Sequence, residues 1–385
     1  MRRNDSVLAC ATLLALCPAA APAGPVPPFR DAAATRQVQG DEQRVWSQGQ
    51  EVSRIIVRGG LVDPDPQTTA YVQHVADRLF PEFAGSVKLS VLKSPDLNAF
   101  ALPNGDIYIN QGLLARFQNE AQLATVLAHE GTHFTNRHGY QSEQSVKNNA
   151  AFAAIGSIFG VPILPQLLAV SSIFGFSREL ETEADVQGYA RLSRAGYDVH
   201  ESPKVFEHLM ADIKAQDIKE PFFFADHPKL ADRVANMRKL SAGAPAGGDG
   251  ADRADYARVM QHTRLENLAT MLSMRREKSA LIMLQDTTYL SELPPTARYY
   301  LGEAYRLRDA PGDAKLAEEA YLKAVEDAPE FAPSYRSLGV LYLKSGQYAA
   351  AQRNLERYLE LAPEAPDRKY AESYLRLAKQ KGGQP

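Results

Sequence analysis

"LATVLAHEGTHFTNRHG", Leu123 to Gly139, holds His-Glu-x-x-His in a stretch whose only formal charges are Glu130 and Arg137. On an α-helix His129 and His133, four residues apart, project from one face. One zinc ion can then take both imidazoles while Glu130 lies beside it, free to act as a base. Thr125, Val126, Leu127, Ala128, Gly131, Thr132 and Phe134 carry no charge, as a buried helix requires. Asn119 is the expected N-cap, and Gln122 three residues later can complete a capping box. The competing explanation is two histidines sharing a helix face by chance, so the rest of the chain has to supply a third ligand.

The 385 residues suffice for two or three domains, each with its own core. A net charge of −3 gives no basic field, so nucleic acid is not an expected partner. The leader "MRRNDSVLACATLLALCPAAAPAGP" passes from two arginines through an apolar stretch, Val7 to Cys17, to Ala21-Pro22-Ala23. That is the order of a secretory signal spanning residues 1–23, so export to the periplasm is expected. Both cysteines, Cys10 and Cys17, lie in this leader, so a mature chain would hold metal by histidine and carboxylate alone.

Residues 24–40, rich in Pro, Ala and Gly, read as a disordered lead-in, and residues 41–240 as the first folded domain. Apolar spacing from Asp41 to Val57 predicts an amphipathic helix stopped at Gly59-Gly60, and a second helix is expected from Thr68 to Leu79. "SVKLSVLK", with Val87, Leu89 and Val91 on one side, predicts a strand. "LNAFALPNGDIYIN" predicts two more, turned at Pro103 to Asp106. "SAGAPAGGDGADRA", residues 241–254, is a linker and the clearest boundary. Residues 255–383 read helical and repetitive. Leu338-Gly339, Tyr342, Gly346, Ala351, Leu355, Tyr358 and Pro363 keep tetratricopeptide spacing, echoed one unit earlier by Leu301-Gly302, Tyr305, Tyr321, Ala324 and Pro329. Residues 256–293 are expected to form a degenerate first unit and 367–380 a capping helix.

A metzincin would place Gly at 136 and His at 139; Asn136 and Gly139 exclude that solution. His138 is one residue off and reads as a helix-terminal histidine near the C-terminal dipole. The better source is "SRELETEADVQGYARLSRAGYD", where Glu181 and Asp185 stand four apart on a predicted helix. Glu181 can bind zinc, and Asp185 can hydrogen-bond the far nitrogen of a ligand imidazole, fixing its tautomer. Glu183 and Glu179 compete with Glu181, and a merely charged helix face is the bland alternative.

HExxH followed downstream by ExxxD inside "ELETEADVQGYARLSRAGYD" resembles the gluzincin metallopeptidases of the HtpX, CAAX-prenyl-protease and Oma type. An exported catalytic domain followed by tetratricopeptide repeats looks most like the periplasmic BepA type. The resemblance covers residues 41–240 by motif and 256–380 by repeat architecture. It implies a mainly α (α+β) fold: a zincin-like metallopeptidase domain with a small β-sheet, then an α-helical tetratricopeptide-repeat domain. It also implies one Zn2+ per chain on His129, His133 and Glu181, with Glu130 as the catalytic base and Asp185 behind the ligands. His227, in "ADHPKLADRVANMRK", is implied as a fourth ligand. As a ligand it would close the site and keep the enzyme latent; swung away, it could stabilise an oxyanion. Asn98, Phe100 and Arg233 are the implied candidates for substrate contact.

Protein or peptide substrates are then expected, an extended peptide adding to the edge of "NAFALPNGDIYIN", with the repeats recruiting envelope assembly machinery. Residues 148–177 carry no charge, but Pro162 and Pro165 interrupt them. They are expected to form an amphiphilic lid or buried helices, with peripheral membrane contact as the alternative. The leading expectation is a zinc endopeptidase acting on misfolded or stalled envelope proteins. Its rival is a chaperone or assembly scaffold for outer-membrane proteins with a silent or structural zinc site.

Overall fold

The computed structural model of the chain describes residues 26–145, 176–216, 230–245 and 253–383. The leader, nearly all of 148–177, His227 and the middle of the linker lie outside the described residues.

A short α1, Ala32–Thr35, precedes α2, Gly40–Arg58, and α3, Pro66–Leu79. α3 begins two residues before the expected Thr68 because Asp65 caps it, accepting from the amides of Gln67 and Thr68, with Pro66 opening the first turn. The sheet consists of β1, Lys88–Leu92, β2, Ala99–Ala101, and β3, Asp106–Asn110, in the order β1-β3-β2. β1 runs parallel to β3, and β2 pairs with it antiparallel across the expected turn. Side-chain alternation splits the sheet. Leu89, Val91, Ala99, Ala101, Ile107 and Ile109 face the main core, while Leu92, Phe100 and Tyr108 face Val52 and Ile56 of α2.

α4, Gln111–Arg116, leads into α5, Glu120–Thr135, the helix of the HExxH motif. From Ala121 onward only Val126 in α5 is not buried, so the helix must be uncharged nearly all round. Asn119 caps it by accepting from the Gln122 amide. The reciprocal half of the expected capping box is displaced: the Gln122 side chain accepts from the Gln118 amide and donates to Glu201. Arg137 then takes a left-handed φ of 60°, and α6, His138–Ser145, starts in a new direction. α7, Arg178–Arg194, lies along α5; α8, Ser202–Gln216, packs on α5 and on α9, Leu230–Ser241.

The C-terminal part opens with α10, Arg253–Ser273, α11, Glu277–Leu284, and α12, Thr287–Ser291. Two helical pairs follow: α13, Ala297–Arg308, with α14, Asp313–Asp327, and α15, Ala332–Lys344, with α16, Tyr348–Leu361. α17, Arg368–Gly382, closes the stack. Glycine sets the approach within each pair. A Cβ on Gly302 would stand 2.4 Å from the Tyr321 ring, and one on Gly339 would stand 2.7 Å from Leu355.

α10 joins the two halves rather than merely following the linker. Its Tyr256, Val259 and Met260 share the main core with the sheet and α5. Carbonyls at the end of a helix lack intrahelical partners, and those of α4 find theirs here. Tyr256 donates to Leu114 O at 2.8 Å, Tyr289 to Ala115 O at 2.9 Å, and Arg264 to Phe117 O at 2.9 Å. Among the described residues no helix is long and apolar enough to cross a membrane.

Candidate metal centre

α5 and α7 bring three buried side chains together. Nε2 of His129 lies 3.1 Å from Nε2 of His133. The carboxylate of Glu181 stands 3.4 Å from the first through Oε2 and 3.5 Å from the second through Oε1. A tetrahedral ion holding ligands at ~2.0–2.1 Å separates its donor atoms by about 3.3–3.4 Å. The triangle fits zinc, and its donors are those zinc accepts.

The approach depends on a stripe of α7: Glu181, Ala184, Asp185, Gly188 and Leu192 are its buried residues. A Cβ on Gly188 would stand 3.1 Å from the Ala128 carbonyl and the His129 amide nitrogen, so glycine lets α7 close on the turn that carries His129. Gly131, within the motif, leaves room in the same way for the ring of Phe80, 2.3 Å from where its Cβ would be.

Each imidazole is held from behind. Nδ1 of His129 lies 3.0 Å from Oδ1 of Asp185. Arg233 donates to both oxygens of that carboxylate, at 2.6 and 3.3 Å, with its guanidinium 4.3 Å from the Phe206 ring centroid. Burial pushes the Asp185 carboxyl up, but Arg233 and His129 outweigh it and hold its pKa at about 2. Burial and Arg233 oppose a charge on His129; hydrogen bonding to Asp185 and Glu181 overcomes both and raises its pKa to about 9. Nδ1 of His133 lies 2.9 Å from Nδ1 of His138, and Phe176 stacks on the His133 ring at 3.8 Å and 12°. Burial first, then the charge on His129, lowers the His138 pKa to about 4.

A pH dependence follows. At neutral pH the metal-free protein carries a proton on His129 that an incoming cation must displace. The proton competes below a pKa of about 9, so affinity rises with pH. Zinc affinity is expected to climb roughly tenfold per pH unit between about pH 6 and 8, with a proton released on binding. Chelator competition and weakly buffered titration check this; pH-independent uptake would contradict it.

Glu130 is buried next to His129 and lines a small cavity of about 30 Å³ with His129, Asp185 and Arg233. That is room for a water molecule.

Of the competitors for third ligand, Glu179 is exposed, and Glu183 turns away to accept from Asn136 at 2.6 Å. His138 is not the helix-terminal residue expected from the sequence; it begins α6, is fully buried and faces His133. Arg233 is buried against both Asp185 and His129, its Nη2 lying 2.6 Å from Asp185 Oδ1 and 3.0 Å from His129 Nδ1. Phe100 stacks on Tyr108 at 5.3 Å on the sheet face turned to α2, so only its backbone remains for a substrate. Asn98 is buried, its carbonyl accepting from the Asn110 amide at 2.9 Å. Sequence reasoning missed His138, Glu183, Asn136 and Phe176 as neighbours of the ligands. His138 and Glu183 had drawn notice only as candidate ligands, and Asn136 only as a residue that excludes a metzincin.

Residues 65–241 match the family model of peptidase family M48, and residues 320–353 match that of the tetratricopeptide repeat. The chain carries a metallopeptidase domain of that family followed by tetratricopeptide repeats, which bears out the resemblance read from HExxH, ExxxD and the repeat spacing. The putative beta-barrel assembly-enhancing protease of Vibrio cholerae is 29% identical over 222 residues, 53% of this chain and 45% of that protein. The beta-barrel assembly-enhancing protease of Escherichia coli (strain K12) is 30% identical over 191 residues, 45% of this chain and 39% of that one. The mitochondrial metalloendopeptidase OMA1 of Arabidopsis thaliana is 37% identical over 128 residues, 32% and 26% of the two chains. Each match spans less than half of the relative's own length.

Proposed function

We propose that this chain is an exported zinc endopeptidase that hydrolyses peptide bonds of misfolded or stalled envelope proteins, its repeats recruiting the envelope assembly machinery. The observation that carries the chemistry is the buried triangle of His129, His133 and Glu181 with Glu130 adjoining it. Zinc bound there would supply a Lewis acid for the scissile carbonyl and lower the pKa of a water molecule. Glu130 takes the proton of the attacking water and passes it to the leaving amine. Asp185, clamped by Arg233, keeps the His129 ring oriented throughout.

The substrate class draws on relatives named as beta-barrel assembly-enhancing proteases, and export draws on the leader. An extended peptide has one strand edge to join among the described residues. The outer edge of β1 is occupied by residues 61–63, with Asp63 N bonded to Val91 O and Lys93 N to Leu61 O at 2.8 Å each, whereas β2 forms the other border of the sheet.

Casein turnover by the mature chain tests the reading. Turnover should vanish with a chelator and return with zinc; a zinc-loaded chain inert to casein would favour the scaffold instead. His227 is proposed, on its sequence resemblance, to hold the site latent as a fourth ligand. His227→Ala should then raise basal casein turnover, and a large fall would reassign the imidazole to the oxyanion.

A further inference from the structure

We infer that His138 and Glu183 form a positioning relay that fixes His133 as a metal ligand, doing for the second imidazole what Asp185 does for the first. The inference rests on the reading of His129, His133 and Glu181 as the metal site.

The tautomers leave one consistent pattern. His133 presents Nε2 to His129 and Glu181. A ligand nitrogen carries no proton, so the ring proton of His133 sits on Nδ1. That N–H points at Nδ1 of His138, 2.9 Å away, which can accept only if His138 carries its own proton on Nε2. Nε2 of His138 in turn lies 3.7 Å from Oε2 of Glu183 and has no hydrogen-bond partner among the described residues. A small rotation of the half-buried carboxylate closes that gap. Its other oxygen is already engaged, accepting from Asn136 at 2.6 Å and from Gln187 at 2.9 Å. Glu183 and Asp185 thus leave α7 two residues apart and serve different imidazoles.

The fold holds His138 in place at some conformational cost. Arg137 is a non-glycine residue at φ 60°, a region that L side chains seldom occupy. It is locked there by two bonds to Glu42, at 2.7 and 2.5 Å, by a third to Pro27 O at 3.0 Å, and by Phe29 under its guanidinium. The locked turn directs the next residue, His138, inward. A side chain there that served packing alone would have no use for two ring nitrogens, since burying a polar atom without a partner is unfavourable.

Zinc affinity of the full mature chain, measured by chelator competition, tests the relay, with melting of the metal-free protein as a control for folding. His138→Phe keeps a ring but removes the acceptor, and should weaken zinc binding about 10–100-fold with little change in the metal-free melt. His138→Asn restores an acceptor at the δ position and should recover most of that loss. Glu183→Ala should give a smaller loss of the same sign. His138→Phe binding zinc as the parent does would overturn the relay. Should that variant not fold, nitrogen NMR of the zinc-loaded parent decides: protons on His133 Nδ1 and His138 Nε2 support the relay, and the opposite tautomer on either ring overturns it. A parent unable to retain zinc would instead bring down the metal-site reading itself.

Discussion

Glu130→Gln is expected to retain its zinc and lose peptide hydrolysis, kcat falling about 10²–10⁴-fold. Glutamine matches glutamate in shape and packs in the same buried position, but its amide cannot take a proton from water near neutral pH. Glu130 is not one of the three clustered ligand residues, so metal content should stay at that of the parent. KM should change little, because ground-state contacts with a peptide are untouched while an interaction made in the transition state is removed. Glu181→Gln is the informative contrast: it weakens a ligand 3.4–3.5 Å from both imidazole nitrogens, so zinc and activity should fall together. Metal analysis beside casein kinetics separates base from ligand, and a Glu130→Gln protein with a tenth or more of the parental kcat, roughly, would refute the role.

Much of this site was legible because its chemistry is local. The i, i+4 spacing of His129 and His133, and again of Glu181 and Asp185, places each pair on one helix face whatever the fold around it. The run of α5 from Ala121 to Thr135, charged only at Glu130, announced burial, and the glycines of the repeats announced close helix pairs. What could not be read depends on contacts distant in sequence. His138 meets His133 only because Arg137 is held in a left-handed turn by Glu42, 95 residues away. Glu183, offset by two from Glu181, does face elsewhere on α7, but what lies on that side is the start of α6, which spacing cannot supply. Helical periodicity is weak along α10, so the sequence marks no apolar face there. It does not show that Tyr256 and Met260 lodge in the core beside α5.

Arg116→Met is expected to destabilise the protein by about 3–5 kcal/mol. Arg116, at the end of α4, is paired with Asp212 of α8, and both are almost fully buried. Burial lowers the guanidinium pKa to about 10, which leaves it charged at neutral pH. Removing it takes the guanidinium away from a buried carboxylate, and the cost of keeping that charge buried with less compensation, rather than the lost attraction, accounts for most of the penalty. Arg116→Met combined with Asp212→Leu should therefore recover most of the stability in urea unfolding; a double variant as weak as the single one would contradict the argument. The same guanidinium also reaches Ser279 O of α11 at 3.4 Å, and the three carbonyls near it are capped from α10 and α12. The repeats and the peptidase domain should consequently unfold together. The single tryptophan, Trp46, reports on the peptidase side through its packing on Phe29 and Phe134. Circular dichroism weighs every helix, the repeats included. Coincident transitions from the two probes are expected, and a Trp46 transition separated from the helical one would show that the α4 junction does not couple the two halves.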